Sequence, residues 1–195
     1  MITFLKGNII ELSPTYAVVE CSGIGYYLNI SLNTFSKVEQ LKSSTFHFYT
    51  YLAVKEDSHT LYGFYDKEER QCFTLLLSVS GVGASTARMI LSSLKPEDLQ
   101  QVIISEDVNT LKGIKGIGLK SAQRIIIDLK DKISINVSSR SDLQTGSNNI
   151  KQESIYALDK LGFSIKKTNI IIDQIIRENP NFSVEEVIKL ALKNL

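Results

Sequence analysis

Several things are missing from this chain, and each absence closes off a class of function. No run approaches the roughly 18 consecutive apolar residues of a membrane span. The opening Met1-Ile2-Thr3-Phe4-Leu5-Lys6 has no basic stretch followed by a long apolar block. No membrane association and a cytoplasmic location are therefore expected. Cysteine is scarce: Cys21 and Cys72 are the only two, far apart and in no CxxC pair. That argues against a disulfide framework or a zinc site and leaves two buried thiols. His47 and His59 lie in strand-like sequence without metal-ligand partners, and no Walker-type phosphate loop occurs. Neither a metal nor a cofactor is expected. A formal net charge of +1 also lacks the basic excess usual in nucleic-acid binders.

What is present is an ordinary globular composition, 43% apolar and 22% charged over 195 residues, enough for a packed core and for more than one small domain. The charge is unevenly spread. Between Lys112 and Lys132 stand Lys112, Lys115, Lys120, Arg124, Lys130 and Lys132 against Asp128 and Asp131, so a positive field is expected there.

Residues 1–65 contain short runs rich in β-branched and aromatic residues, such as Tyr16-Ala17-Val18-Val19-Glu20 and Tyr26-Tyr27-Leu28-Asn29-Ile30, separated by Ser-Pro and Ser-Gly-Ile-Gly. Five or six strands in so short a span predict a small all-β, closed or nearly closed barrel, because closure removes exposed edges. Residues 66–133 change to helical spacing. Asp66-Lys67-Glu68-Glu69 reads as a capped start, Pro96 as a first helical position, and Ser105 as the cap of the next helix. Residues 134–149, SINVSSRSDLQTGSNN, carry few large apolar side chains and predict a flexible tether. Residues 150–195 predict three short helices, the first ending at Gly162, the second before Pro180, and the third opened by a capping box at Ser183-Val184-Glu185-Glu186.

The strongest signal is a repeat at a spacing of 35 residues, in which Ser80-Gly81-Val82-Gly83-Ala84-Ser85-Thr86-Ala87 is echoed by Lys115-Gly116-Ile117-Gly118-Leu119-Lys120-Ser121-Ala122. Each copy precedes an apolar-periodic helix. In the second, Ala122, Ile125, Ile126, Leu129 and Ile133 form one face, and Lys120 and Arg124 share another. Glycines around one apolar residue suit a tight turn, with Val82 or Ile117 as its anchor. The amides opening the following helix, aided by its dipole, make an anion site suited to a DNA phosphate without sequence preference. Two copies in register fit paired phosphate contacts on either side of a groove. The expected phosphate-binding residues are Gly81, Val82, Gly83, Ser85, Gly116, Ile117, Gly118, Lys120, Ser121 and Arg124.

With both hairpins in place, the whole chain resembles the RuvA family of tandem helix-hairpin-helix, Holliday-junction-binding proteins. The likeness extends to the Phe4-Leu5-Lys6-Gly7 strand, the Gly23-Ile24-Gly25-Tyr26 turn, Val54-Lys55-Glu56-Asp57 followed by Leu61-Tyr62-Gly63-Phe64, and Ala157-Leu158 to Leu161-Gly162-Phe163. The resemblance implies an N-terminal OB-fold barrel, a central all-α tandem helix-hairpin-helix domain and a C-terminal three-helix, UBA-like domain. It implies a non-catalytic subunit that holds four-way junction DNA open for the hexameric ATPase RuvB, in recombination and repair. It further implies a homotetramer or stacked octamer, and it allows the RuvC resolvase as another partner. Glu56 and Asp57 match the family's acidic pin, Lys55 is the adjacent basic residue near the junction, and Leu158, Leu161 and Phe163 are candidates for docking the motor.

Two positions depart from the family pattern: Ser85 and Leu119 stand where basic residues are common, which predicts weaker attraction to phosphate with the backbone contacts kept. Two rival readings differ in class. Gly116 to Ala122 is also similar to the hairpin of DNA glycosylases, which would make Lys120 a nucleophile. However, Asp128 and Asp131 fall within the same helix, Asp142 falls in the tether, and two distant cysteines cannot hold an iron-sulfur cluster. A protein-interaction scaffold without DNA contact would require both hairpins to be purely structural.

Overall fold

The computed structural model describes residues 1–41, 43–141, 146–180 and 182–195, and the side chains of these except 131, 134–141, 146–149, 165 and 166. They divide into two compact units, Met1–Ile133 and Ser134–Leu195.

The first unit begins with a closed barrel of strands β1 (Phe4–Ser13), β2 (Tyr16–Cys21), β3 (Ile24–Ile30), β4 (Thr45–Val54) and β5 (His59–Phe64), in the order β1-β2-β3-β5-β4. Strand β1 pairs with both β2 and β4, and the parallel pairing of β3 with β5 completes the ring. Alternation puts Ala17 and Val19, Leu28 and Ile30, and Phe48 inside, where they pack with Leu5 and Val38. This is an OB-like topology.

The expectation of an all-β segment needs correction, because helix α1 (Leu32–Leu41) lies between β3 and β4. Ser31 starts it: its Oγ accepts the Thr34 amide at 3.0 Å and its carbonyl accepts the Phe35 amide at 2.9 Å. Phe35 and Val38, three apart, then pack on the barrel core.

Helices α2 (Lys67–Leu77), α3 (Ala84–Ser93), α4 (Pro96–Ile104), α5 (Val108–Lys112) and α6 (Leu119–Ser141) follow. Asp66 caps α2 by accepting the Glu69 amide at 2.8 Å, and Pro96 opens α4. Ser105 does not cap the next helix. It ends α4, and Asp107 caps α5 by accepting the amides of Asn109 and Thr110, each at 3.1 Å. One carboxylate oxygen, Oδ1, takes both orphan amides, and Oδ2 accepts from Thr110 Oγ1 at 2.5 Å, so a single side chain satisfies three donors.

Barrel and helices share a core. Tyr62 and Phe64 of β5 and Tyr51 of β4 meet the ring of Phe73 with centroids 5.0, 4.9 and 5.4 Å away. One apolar cluster runs from them through Leu76, Ile90 and Leu111 to Ile133. Polar bonds add to it. The buried Glu69 carboxylate accepts from Ser31 Oγ and, at 2.6 Å, from Thr34 Oγ1. Burial pushes its pKa up, and the two hydroxyls only partly offset that. Arg88 of α3 donates to the Thr15 carbonyl at 3.0 Å and to Asn29 Oδ1 at 3.1 Å.

The unit boundary falls where large apolar residues thin out after Ile133. Of the segment read as a tether, 142–145 lie outside the described residues, while α6 extends to Ser141 and α7 (Gly146–Lys160) begins within it. No proline interrupts either stretch. In the second unit, α7, α8 (Ile165–Glu178) and α9 (Val184–Asn194) enclose Leu158, Ile172, Ile175, Val187 and Ala191. Ser183 and Glu186 form the expected capping box. No helix among the described residues is long and apolar enough to cross a membrane.

Candidate nucleic-acid interface

The repeat in the sequence is a repeat of backbone. Hairpin one links α2 to α3 and hairpin two links α5 to α6. Gly81 and Gly116 take φ of +89° and +88°, the left-handed region where a side chain would be strained. Val82 and Ile117 are buried in the shared core, and their amides donate to the carbonyls of Val79 and Ile114, each at 3.1 Å. Those two residues therefore anchor the turns, and their amides are not phosphate donors, which corrects their assignment to the binding set. The turn geometry consumes the donor that the sequence pattern seemed to offer.

The helix starts are different. Gly83 opens α3 without any side-chain cap, and the amides of Ala84, Ser85 and Thr86 find no protein acceptor among the described residues. The same holds for Leu119, Lys120 and Ser121 at the start of α6. Gly83 and Gly118 lie outside the left-handed region, and an added Cβ at either would have no protein atom within 4 Å. Internal packing thus gives no reason for glycine there. Open space in front of uncapped amides does, since it lets another backbone approach closely.

Both hairpins contribute to one open cleft of ≈ 490 Å³ lined by Ser80, Gly81, Lys120, Ser121, Arg124 and others of the exposed α6 face. Arg124 leans across it, its Nη1 3.5 Å from the Ser80 carbonyl. The remaining cations of the basic stretch do not all contribute equally. Lys130 is paired with Glu106, and Lys132 donates to Ser78 Oγ at 2.9 Å. Lys115, Lys120 and Arg124 are exposed. Ser85 is exposed at the start of α3.

Three family models match the chain in order: RuvA N terminal domain over residues 1–63, SAM-like Helix-hairpin-helix tandem over 73–131, and RuvA, C-terminal domain over 149–195. A protein of Christiangramia forsetii is 52% identical over the whole of both chains. The chain belongs to the RuvA family. Relatives from Bacteroides thetaiotaomicron and Flavobacterium psychrophilum are 48% and 45% identical, again over all of both chains, and all three are named Holliday junction branch migration complex subunit RuvA.

Other candidate residues of this RuvA-family chain lie away from the hairpins. Lys55, Glu56 and Asp57 form the exposed tip between β4 and β5, where the Lys55 amide donates to the Ser58 carbonyl at 2.8 Å. The three proposed docking residues separate. Leu158 is 0% exposed and belongs to the core, so its assignment to partner docking is corrected. Phe163 is half-buried against that core, and Leu161 is 61% exposed beside Gly162. No metal-binding cluster of His, Cys, Asp and Glu occurs among the described residues. Of the aspartates weighed for a glycosylase, Asp128 lines the cleft, Asp142 lies outside the described residues, and so does the Asp131 side chain. The sequence reading missed α1, although Ser31 with Phe35 and Val38 was signal enough.

Proposed function

We propose that this protein binds four-way DNA junctions through the backbone phosphates and acts without catalysing a reaction on DNA. The observation that carries the reading is the empty space before two uncapped helix starts, at Gly83 and Gly118, on hairpins of matching backbone geometry. Each start presents amide donors and the positive end of a helix dipole. A phosphate oxygen entering there accepts from the backbone, and Lys120, Arg124 and the hydroxyls of Ser85 and Ser121 add to the attraction. None of these groups reads a base edge, so the grip is blind to sequence. The family relation, with relatives named as subunits of the branch migration complex, supports the junction as the substrate.

In this reading four copies surround the crossover, as one tetramer or as two stacked. Glu56 and Asp57 form an acidic pin that repels misplaced strands near the centre, with Lys55 beside it. The C-terminal helices dock the motor RuvB through Leu161 and Phe163, the motor supplies ATP hydrolysis, and RuvC acts on the same junction. The work takes place in the cytoplasm.

A gel-shift series on a four-way junction, a duplex and a single strand of equal length tests this. The junction should be held at least tenfold more tightly than either, and equal affinity for all three would reject the assignment. Mass measurement with and without junction DNA reads the number of subunits. Glu56→Lys combined with Asp57→Lys should leave the barrel folded and impair motor-driven branch migration, and normal migration would remove the pin.

A further inference from the structure

The exposed face of α6 alternates in charge along its length, the row through Lys120, Arg124 and Asp128 ending on Lys132, which donates to Ser78 Oγ at 2.9 Å. Lys120 and Arg124 come first, and one turn later the cleft is lined by Ile127, 73% exposed, and Asp128, also exposed. At a rise of roughly 1.5 Å per residue, about 12 Å separates Lys120 from Asp128. No hydrogen bond or ion pair ties Asp128 to another residue among the described ones, Arg124 included, although the two are four apart on the helix. Ile127 offers no donor. The cleft therefore offers cations at its hairpin end and, at its far end, a carboxylate bonded to no other described residue.

We propose that Asp128 is a specificity-determining residue that disfavours single strands, with Ile127 as the uncharged spacer before it. The inference rests on the reading of the hairpins as phosphate sites. A duplex arm held by both hairpins has its phosphates fixed by the geometry of the double helix. A lone strand held at the second hairpin has free backbone torsions and is drawn past Arg124 along the α6 face. Its next phosphate then meets the Asp128 carboxylate, and like charges at close range oppose each other. Flexible strands lose a contact they would otherwise gain, while duplex arms lose none.

The test compares Asp128→Asn and Asp128→Lys with the unaltered full-length protein, using a four-way junction, a duplex and an oligothymidine strand between about 50 and 200 mM salt. Asp128→Asn should raise single-strand affinity about three- to tenfold and junction affinity less than twofold. Asp128→Lys should in addition steepen the single-strand salt slope by about one phosphate contact. An unchanged single-strand affinity, or an equal gain on the junction, overturns the proposal. Lys120→Ala serves as the separate check: if it leaves binding and salt slope untouched for all three DNAs, the hairpin reading itself fails, whatever Asp128 does.

Discussion

The two hairpins share a backbone and differ in nearly everything around it. Both have a left-handed glycine, a buried anchor whose amide closes the turn, and an uncapped helix start facing open space. Hairpin one leads into α3, which the barrel holds through Arg88 and through Asn33 Nδ2, bonded to the carbonyls of Leu91 and Leu94. Its helix start carries Ser85 and no cation before Arg88. Hairpin two carries Lys115, Lys120 and Arg124, and among the described residues no hydrogen bond or ion pair ties these to the barrel. The repeat has kept the donor geometry and let side-chain charge vary. Open backbone amides are thus the common element of the two hairpins, and in the proposed reading the cations adjust strength.

Substitutions can break or sharpen that contrast. The largest effect is expected from Gly83→Ala with Gly118→Ala, which places methyl groups before the amides. Junction affinity should fall on the order of a hundredfold, as two charge-assisted contacts of ~1.5–3 kcal/mol are weakened, with melting nearly unchanged because both sites are empty of protein atoms. A small loss of binding would mean that side chains, not amides, do the holding. Arg88→Ala comes next. It removes two bonds between α3 and the barrel and should cost about 1–3 kcal/mol of stability in urea denaturation, whereas Arg124→Ala should cost under ~0.5 kcal/mol.

Side-chain exchange tests the second half of the contrast. Lys120→Ala should weaken binding about tenfold and flatten the salt slope by about one contact, and Ser85→Lys should strengthen it roughly threefold. If Ser85→Lys has no effect, the first hairpin does not meet phosphate. The smallest effect concerns Glu69. Its folded pKa lies above the ordinary glutamate value of about 4.3, so the folded state keeps the proton longer than the unfolded chain does. Stability should therefore fall as pH rises from about 4.3 through the raised folded value. Glu69→Gln should abolish that slope in melting curves taken across the window, and a persisting slope would assign it to another group.

Much of this was legible in the sequence because it rests on local rules. The Gly-x-Gly spacing located both turns, and the i, i+3, i+4 pattern from Ala122 to Ile133 named the buried face of α6. Asp66, Pro96 and Ser183 marked helix starts by their own capping chemistry. What was misread depended on partners distant in sequence or on competition between neighbours. Helix α1 sits between strands and is secured by Glu69, 35 residues beyond Thr34. Ser105 lost its capping role to Asp107, two residues on. Val82 and Ile117 were correctly read as anchors, but only the folded turn shows their amides already engaged. Leu158 and Leu161 both looked like docking residues, and three positions on a helix that ends between them separate core from surface.

The contact of Phe73 with Tyr51, Tyr62 and Phe64 fuses the strands that carry Glu56 and Asp57 to the helices that carry the hairpins. The acidic tip and the two helix starts consequently belong to one packed unit with a shared core. A four-way junction would meet a finished gauge, and little of the affinity would be spent on ordering the protein.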